Sequence, residues 1–248
     1  MNRHVLKKVI YRIVATIYVV TLMLNSSLSK GVVAKSIPIA AGDFDFNNKA
    51  WNKKDLRLAT NCYLYSMNFK KNPLTNKKYS YKNGIIGAQP GDFSKYIEPL
   101  HGNGIEKSSV MGRVMPDMGN IGFSIKEVKK KRIHKKIKNK KTHLVYMVVT
   151  NNSGFEKVID HENKYVLYVI ADYHWYRQDK DGYWSHKPGQ SKVTRVDSKG
   201  KKIKDPSKCS KEYFYLTNEI YIINGEEYRR INVINYTGGG GFYKVKRK

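Results

Sequence analysis

The sequence predicts an α+β protein in which N-terminal helices pack on an antiparallel sheet. Two periodicities and a size argument lead there. Helical spacing marks residues 62–69 and 124–142. From Leu144 onward, short apolar and aromatic runs alternate with Asp-Gly and Ser-Lys-Gly turn signals. A chain of 248 residues with 40% hydrophobic and 12% aromatic content is long and apolar enough to bury a real core. Two cysteines exclude a dense disulfide scaffold and a four-thiolate zinc site. No apolar run reaches 18 residues, which argues against a conventional membrane-spanning helix.

The chain opens with Arg3, Lys7, Lys8 and Arg12, followed by the apolar run Ile13 to Leu24. That run suits the core of a signal peptide and is too short to span a bilayer. Val32-Val33-Ala34 offers a cleavage site, with Ser27-Leu28-Ser29 as an alternative. Residues 1–34 are therefore expected to be a signal peptide of a secreted or periplasmic protein, and 35–248 one α+β domain. A buried amphipathic helix is the competing reading of the same residues.

Residues 35–52 read as a leader into the domain. A helix is expected to begin near Cys62, capped by Thr60 or Asn61 and ended by Asn72-Pro73. Residues 74–122 are rich in Gly, Pro and Asn and read as loop. The segment 124–142 holds ten Lys or Arg against one Glu, and Ile125, Val128, Ile133 and Ile137 could form a narrow helical stripe. Strands are expected at Leu144 to Val149, Lys164 to Gln178, Tyr183 to Lys187, Tyr213 to Leu216, Glu219 to Ile223 and Arg230 to Tyr236, with Val193 to Val196 extending the sheet. The glycines 238–241 and the basic residues after them read as a flexible tail.

Lys and Arg number 47 against 20 Asp and Glu, a formal net charge of +27. Loss of residues 1–34 would leave +22. Such a charge points to anionic partners or surroundings, although a lysine-rich habit of the source would produce it too. Lys129, Lys130, Lys131, Arg132, Lys135 and Lys136 form the densest candidate patch, suited to an anionic envelope polymer or membrane surface. A solvated helix face is the plainer reading. Nucleic acid is disfavoured, because no nucleic-acid-binding signature accompanies the charge and export removes the chain from most of it.

Two stretches could carry chemistry. The first is Asn61-Cys62-Tyr63-Leu64-Tyr65-Ser66, where a thiol at a helix start would have a lowered pKa. The second is the hairpin from Asp172-Tyr173-His174-Trp175-Tyr176-Arg177-Gln178 to Trp184-Ser185-His186-Lys187-Pro188-Gly189. A three-residue loop, Lys180-Asp181-Gly182, would set Tyr176 opposite His186 and place His174 on the same side of the ribbon. A four-residue loop would turn His186 to the other face. His101, His134, His143 and His161 lack metal-ligand spacing, so neither metal nor cofactor is expected.

A helix-start Cys followed by a sheet-borne His is the chain order of papain-like cysteine hydrolases, which the chain resembles in this respect. Gln89-Pro90-Gly91-Asp92 is similar to the Pro-Gly-Asp turn after the catalytic helix in the NlpC and CHAP kinds of these enzymes. The hairpin resembles a D-Y-H-x-Y-R-Q-D-x-D-G-x-W-S-H-K-P-G segment of bacterial secreted proteins of unassigned activity. The resemblance implies a papain-like core and a cysteine peptidase or amidase acting on a peptide or amide bond. Cys62 would be its nucleophile and His174 its base. The orienting third residue, which in that superfamily is His, Asn or Asp, would be His186 first and Asp197 second. Asn61 or Gln89 would assist an oxyanion. The alternative is a non-catalytic secreted protein that binds anionic surfaces or a protein partner through its basic segment and aromatic hairpin. A free reactive thiol would favour the enzyme; a Cys62–Cys209 disulfide, open to an exported chain, would favour the binder.

Overall fold

The computed structural model describes residues 44–85, 87–95, 105–133, 141–151 and 156–248. All of them belong to a unit spanning Ile37–Lys248, distinct from Met1–Ser36. The expected signal peptide, His101, His134, Lys135, Lys136 and Ile137 lie outside the described residues.

The architecture is α+β, with few helices and two sheets. Four helices are described: α1 (Asn48–Trp51), α2 (Lys54–Leu58), α3 (Cys62–Ser66) and α4 (Lys107–Asn120). Nine strands are described: β1 (Phe123–Val128), β2 (Thr142–Val149), β3 (Glu156–Asp160), β4 (Tyr165–Val169), β5 (Tyr173–Gln178), β6 (Trp184–His186), β7 (Glu212–Ile223), β8 (Glu226–Asn235) and β9 (Gly240–Arg247). The larger sheet runs β1-β9-β2-β5-β6, antiparallel throughout. The smaller runs β3-β4-β8-β7, with β4 and β8 parallel. Among the described residues, no helix is long and apolar enough to cross a membrane.

The larger sheet carries a buried cluster on each face. On its helical face, Val145, Met147, Val149, Tyr173, Trp175, Tyr243 and Val245 pack against Cys62, Tyr63 and Leu64 of α3 and Val110, Val114 and Met118 of α4. On the other, Leu144, Tyr146, Val148, Tyr176, Trp184 and Phe242 pack with Ile133, Ile203 and Tyr236. Each fully buried Leu or Val side chain contributes about 1.5–3 kcal/mol of transfer free energy.

Several elements differ from expectation. The basic segment forms a strand and a 3-10 turn (Lys130–Arg132) where a helix was expected. The period that prevails is two: Phe123 and Ile125 both enter the helical-face core, and β9 supplies the backbone partners. The glycine-rich tail is β9, lying between β1 and β2. Its glycines answer a packing need. A Cβ on Gly240 would lie 2.3 Å from the Tyr146 hydroxyl, and one on Gly238 would lie 2.3 Å from the Thr150 carbonyl oxygen.

Residues 164–178 are two strands in different sheets. The chain leaves the smaller one after the Ile170 N–H bonds the Val233 carbonyl, and Asp172 accepts from the Thr150 N–H at the start of β5. Within the expected loop, α4 forms despite Gly112, Pro116 and Gly119. Val110, Val114 and Met118 repeat at four-residue spacing on its buried side, and Glu106 and Ser109 close a capping box at its start. Helix α3 stops at Ser66, well before Asn72-Pro73, because Asn68 takes the left-handed conformation (φ 60°) that ends a helix. Residues 213–223 form one irregular strand, with a register shift between Leu216 and Ile220.

Candidate functional site

Helix α3 presents Cys62. The Asn61 side-chain oxygen accepts from the Leu64 N–H at 3.0 Å, and its amide donates to the Ala88 carbonyl at 3.0 Å. Such a cap is worth about 1 kcal/mol, and here it also ties the helix to the loop before Gln89-Pro90-Gly91-Asp92. That turn is held by the fully buried Asp117 of α4, whose carboxylate accepts from the Gly91 N–H (2.7 Å), the Ser94 hydroxyl (2.7 Å) and the Tyr63 hydroxyl (3.0 Å).

The hairpin has the three-residue loop. The Asp179 N–H bonds the Tyr183 carbonyl, the Gly182 N–H bonds the Asp179 carbonyl, and Gly182 takes a positive φ of 83°. Tyr176 pairs with His186, and His174 Nε2 lies 2.8 Å from His186 Nδ1. The structure thus brings His174 and His186 together. His186 Nε2 faces the Val196 carbonyl at 3.0 Å. A carbonyl only accepts, so that nitrogen carries the proton. Burial drives the His186 pKa down to about 4 and that of His174 well below its ordinary value. Both rings are therefore neutral near pH 7, and the His174 Nε2–H donates to the bare Nδ1 of His186.

The structure does not bring Cys62 to this pair. Alternation along β5 sends Tyr173, Trp175 and Arg177 to the helical face and His174, Tyr176 and Gln178 to the other. Cys62 packs on the helical face, its sulfur 4.0 Å from the Tyr173 carbonyl oxygen. His174 packs edge-on to Tyr176, tilted against Tyr236, on the opposite side of the strand. Ser185 of β6, bonded to Tyr65, and Lys187 just after β6, bonded to the Thr60 carbonyl, are the side chains that share the helical face with Cys62.

The thiol also departs from its expected state. Burial, then the nearby Asp172 carboxylate, push the Cys62 pKa up to about 12. A five-residue helix has too little dipole to offset that desolvation. Cys209 is free as well and packs at the opposite-face cluster, so the two cysteines form no disulfide. Asp197 does not orient a histidine. Its carboxylate organises its own turn, accepting from the N–H groups of Lys199, Lys201 and Ser210. The Gln89 side chain meets the Tyr173 hydroxyl.

What His174 does line is a cleft of about 250 Å³ between the hairpin and the smaller sheet, shared with Asp172, Gly189, Gln190, Tyr213, Tyr215 and Tyr236. Asp172 accepts from the Tyr173 N–H at 2.8 Å and from the Tyr236 hydroxyl. Sequence reasoning missed Tyr213, Tyr215 and Tyr236. The signal available was the Tyr-x-Tyr alternation at 213–215, which puts two rings on one face of a strand. Among the described residues, no three His, Cys, Asp or Glu side chains cluster to hold a metal ion.

The basic residues form a face that crosses strands. β1 pairs with β9 so that Lys126 stands opposite Lys244 and Ser124 opposite Lys246. All three lysines are exposed, as are Lys129, Lys130 and Lys131 beside them. Lys130 pairs with Asp205 at 3.0 Å. Glu127, the acid of β1, points to the other face and pairs with Lys107 at 2.6 Å.

No family model matches the chain, and no solved structure matches it. A 41-residue stretch is 51% identical to a protein of Ruditapes philippinarum named insoluble matrix shell protein 1. The match covers 16% of this chain and 28% of that protein.

Proposed function

We propose that the protein is a non-catalytic, exported binding protein that holds an anionic polymer on the basic face of its larger sheet. The observation that carries this reading is the Lys126–Lys244 register. Like charges directly opposite on adjacent strands are destabilising, and here they are exposed, with Lys246 beside them and no acid on the same face of β1. A polyanion laid across β1 and β9 turns that repulsion into affinity, strengthened by counterion release. The export signature at residues 1–34 and the short likeness to a protein named for an insoluble shell matrix support a setting in which such polymers occur. The scaffold reading that goes with it is a papain-like core, in which a buried Cys-bearing helix docks on an antiparallel sheet without its histidine partner. The cysteine hydrolase reading is less favoured by geometry, because it needs a thiolate within reach of an imidazole.

The test is retention on an immobilised sulfated polysaccharide across a salt gradient. The wild-type chain should elute late, and Lys126→Gln/Lys244→Gln/Lys246→Gln should elute markedly earlier with an unchanged melting temperature. Unchanged retention refutes the proposed face. Stronger binding to phosphatidylserine vesicles than to the polymer moves the partner to a membrane.

A further inference from the structure

The cleft beside the histidine pair has a chemistry opposite to that of the rest of the surface. Three tyrosines line it, beside Pro188, Gln190 and Ile234. The Tyr213 and Tyr215 rings lie nearly parallel, 16° between planes and 6.4 Å between centroids. Tyr236 meets Tyr213 at 6.1 Å and 70°, closing a corner. Asp172 also lines this cleft.

In a chain of net charge +27, this carboxylate has no ion pair to any Lys or Arg among the described residues. Lys187, which precedes the cleft residues Pro188 and Gly189, is fully buried, and its ammonium donates to the carbonyls of Thr60 and Gly189. Two hydrogen bonds hold the Asp172 carboxylate, from the Tyr173 N–H and the Tyr236 hydroxyl. An ionised carboxylate offers about four acceptor positions, so roughly two remain for an occupant. His174 adds a neutral ring whose single N–H is committed to His186.

We infer that this cleft binds an ammonium group. Partly buried carboxylates are ordinarily paired, and here the missing partner is a cation. Three tyrosines line the cleft, and an aromatic ring attracts a cation over its face, an interaction worth about 2 kcal/mol or more when desolvated. An anion would meet Asp172, and a wholly apolar group would leave its carboxylate unsatisfied. The volume, about 250 Å³, lies below the ~300 Å³ at which sites for drug-sized ligands begin, so the occupant is one small group or ring. The ammonium could belong to a lysine side chain of a partner or to an amino sugar; the chemistry seen by the cleft is the same. This inference goes beyond the basic face and does not depend on it.

Isothermal titration at low ionic strength tests it, with n-butylammonium chloride against its neutral isostere n-butanol and against butyrate. Butylammonium should bind and the other two should not. Asp172→Asn, which keeps an acceptor for Tyr236, should weaken binding by about tenfold or more. Tyr215→Ala, at a ring 40% exposed, should weaken it with the melting temperature unchanged. Equal binding of n-butanol, no binding of butylammonium, or an unaltered affinity in Asp172→Asn overturns the proposal. Nα-acetyl-lysine methylamide and glucosamine, the latter against N-acetylglucosamine, then separate the two sources of the ammonium. The triple lysine variant of the basic face should bind butylammonium as the wild type does, so that failure of one site is distinguishable from failure of the other.

Discussion

His174 and His186 form one proton-ordered pair: Nε2 of the first donates to Nδ1 of the second across 2.8 Å, because the Val196 carbonyl fixes the proton on the far nitrogen of His186. The order holds while both rings are neutral. Protonating His186 puts a hydrogen on the Nδ1 that now accepts, and the contact becomes donor against donor.

Acid should therefore destabilise the fold through this pair. The folded His186 pKa, about 4, lies below the ordinary histidine value of about 6.5. Its contribution is complete above about pH 6.5 and is lost as pH falls toward 4, because the unfolded chain takes up a proton that the folded chain refuses. The shift corresponds to about 3 kcal/mol for His186. Urea midpoints between pH 7 and 4.5 should fall, and His186→Asn should flatten the slope. A level profile in the wild type would contradict the assigned tautomers.

Cys62 should be a sluggish thiol. With its pKa near 12, alkylation by iodoacetamide in the native protein should have a pH midpoint above the roughly 8.5 of a free thiol. His174→Ala should leave that midpoint where it is, since the ring lies across the strand. A midpoint below 8.5 that rises in His174→Ala would restore the hydrolase reading.

The glycine run should divide sharply under alanine substitution. Gly238→Ala drives a methyl to 2.3 Å from the Thr150 carbonyl oxygen, whereas Gly239→Ala meets nothing closer than 3.8 Å. Overpacking of this kind costs about 1–3 kcal/mol. Thermal melting should show that loss for Gly238→Ala and almost none for Gly239→Ala.

Asp179 should be the costliest single carboxylate. It is fully buried, paired with Arg177 at 3.3 Å and Arg195 at 3.0 Å, and accepts from the Ser185 hydroxyl at 2.9 Å. Asp179→Ala leaves the buried Arg177 without its counter-charge, a change that costs about 3–5 kcal/mol. Chemical denaturation should show a larger loss for it than for Arg195→Ala, whose own side chain keeps some exposure.

The hairpin was legible because its turn is local: Asp-Gly chemistry chooses the loop, the loop chooses the register, and the register sets His174 beside His186. The Asn61 cap was legible for the same reason. The face on which α3 docks was not. β5 is buried on both sides, so Tyr-His-Trp-Tyr-Arg-Gln shows no apolar-polar alternation from which the helix side could be chosen. Cys62 and His174 were accordingly paired by chain order alone. The basic strand and β9 escaped because each depends on the other, far apart in sequence. Helix α4 escaped because Pro116 and its glycines argue locally against a helix whose buried valines hold it in place.

β9 comes last of the described strands in chain order, yet it fills the gap between β1 and β2. As the chain is made, β1 and β2 emerge long before the strand that joins them. Sheet closure therefore waits for β9 to be made, and its long-range pairings predict slow folding. Until β9 is available, Lys126 of β1 belongs to an unpaired ribbon. The basic face exists only after β9 has slid into place.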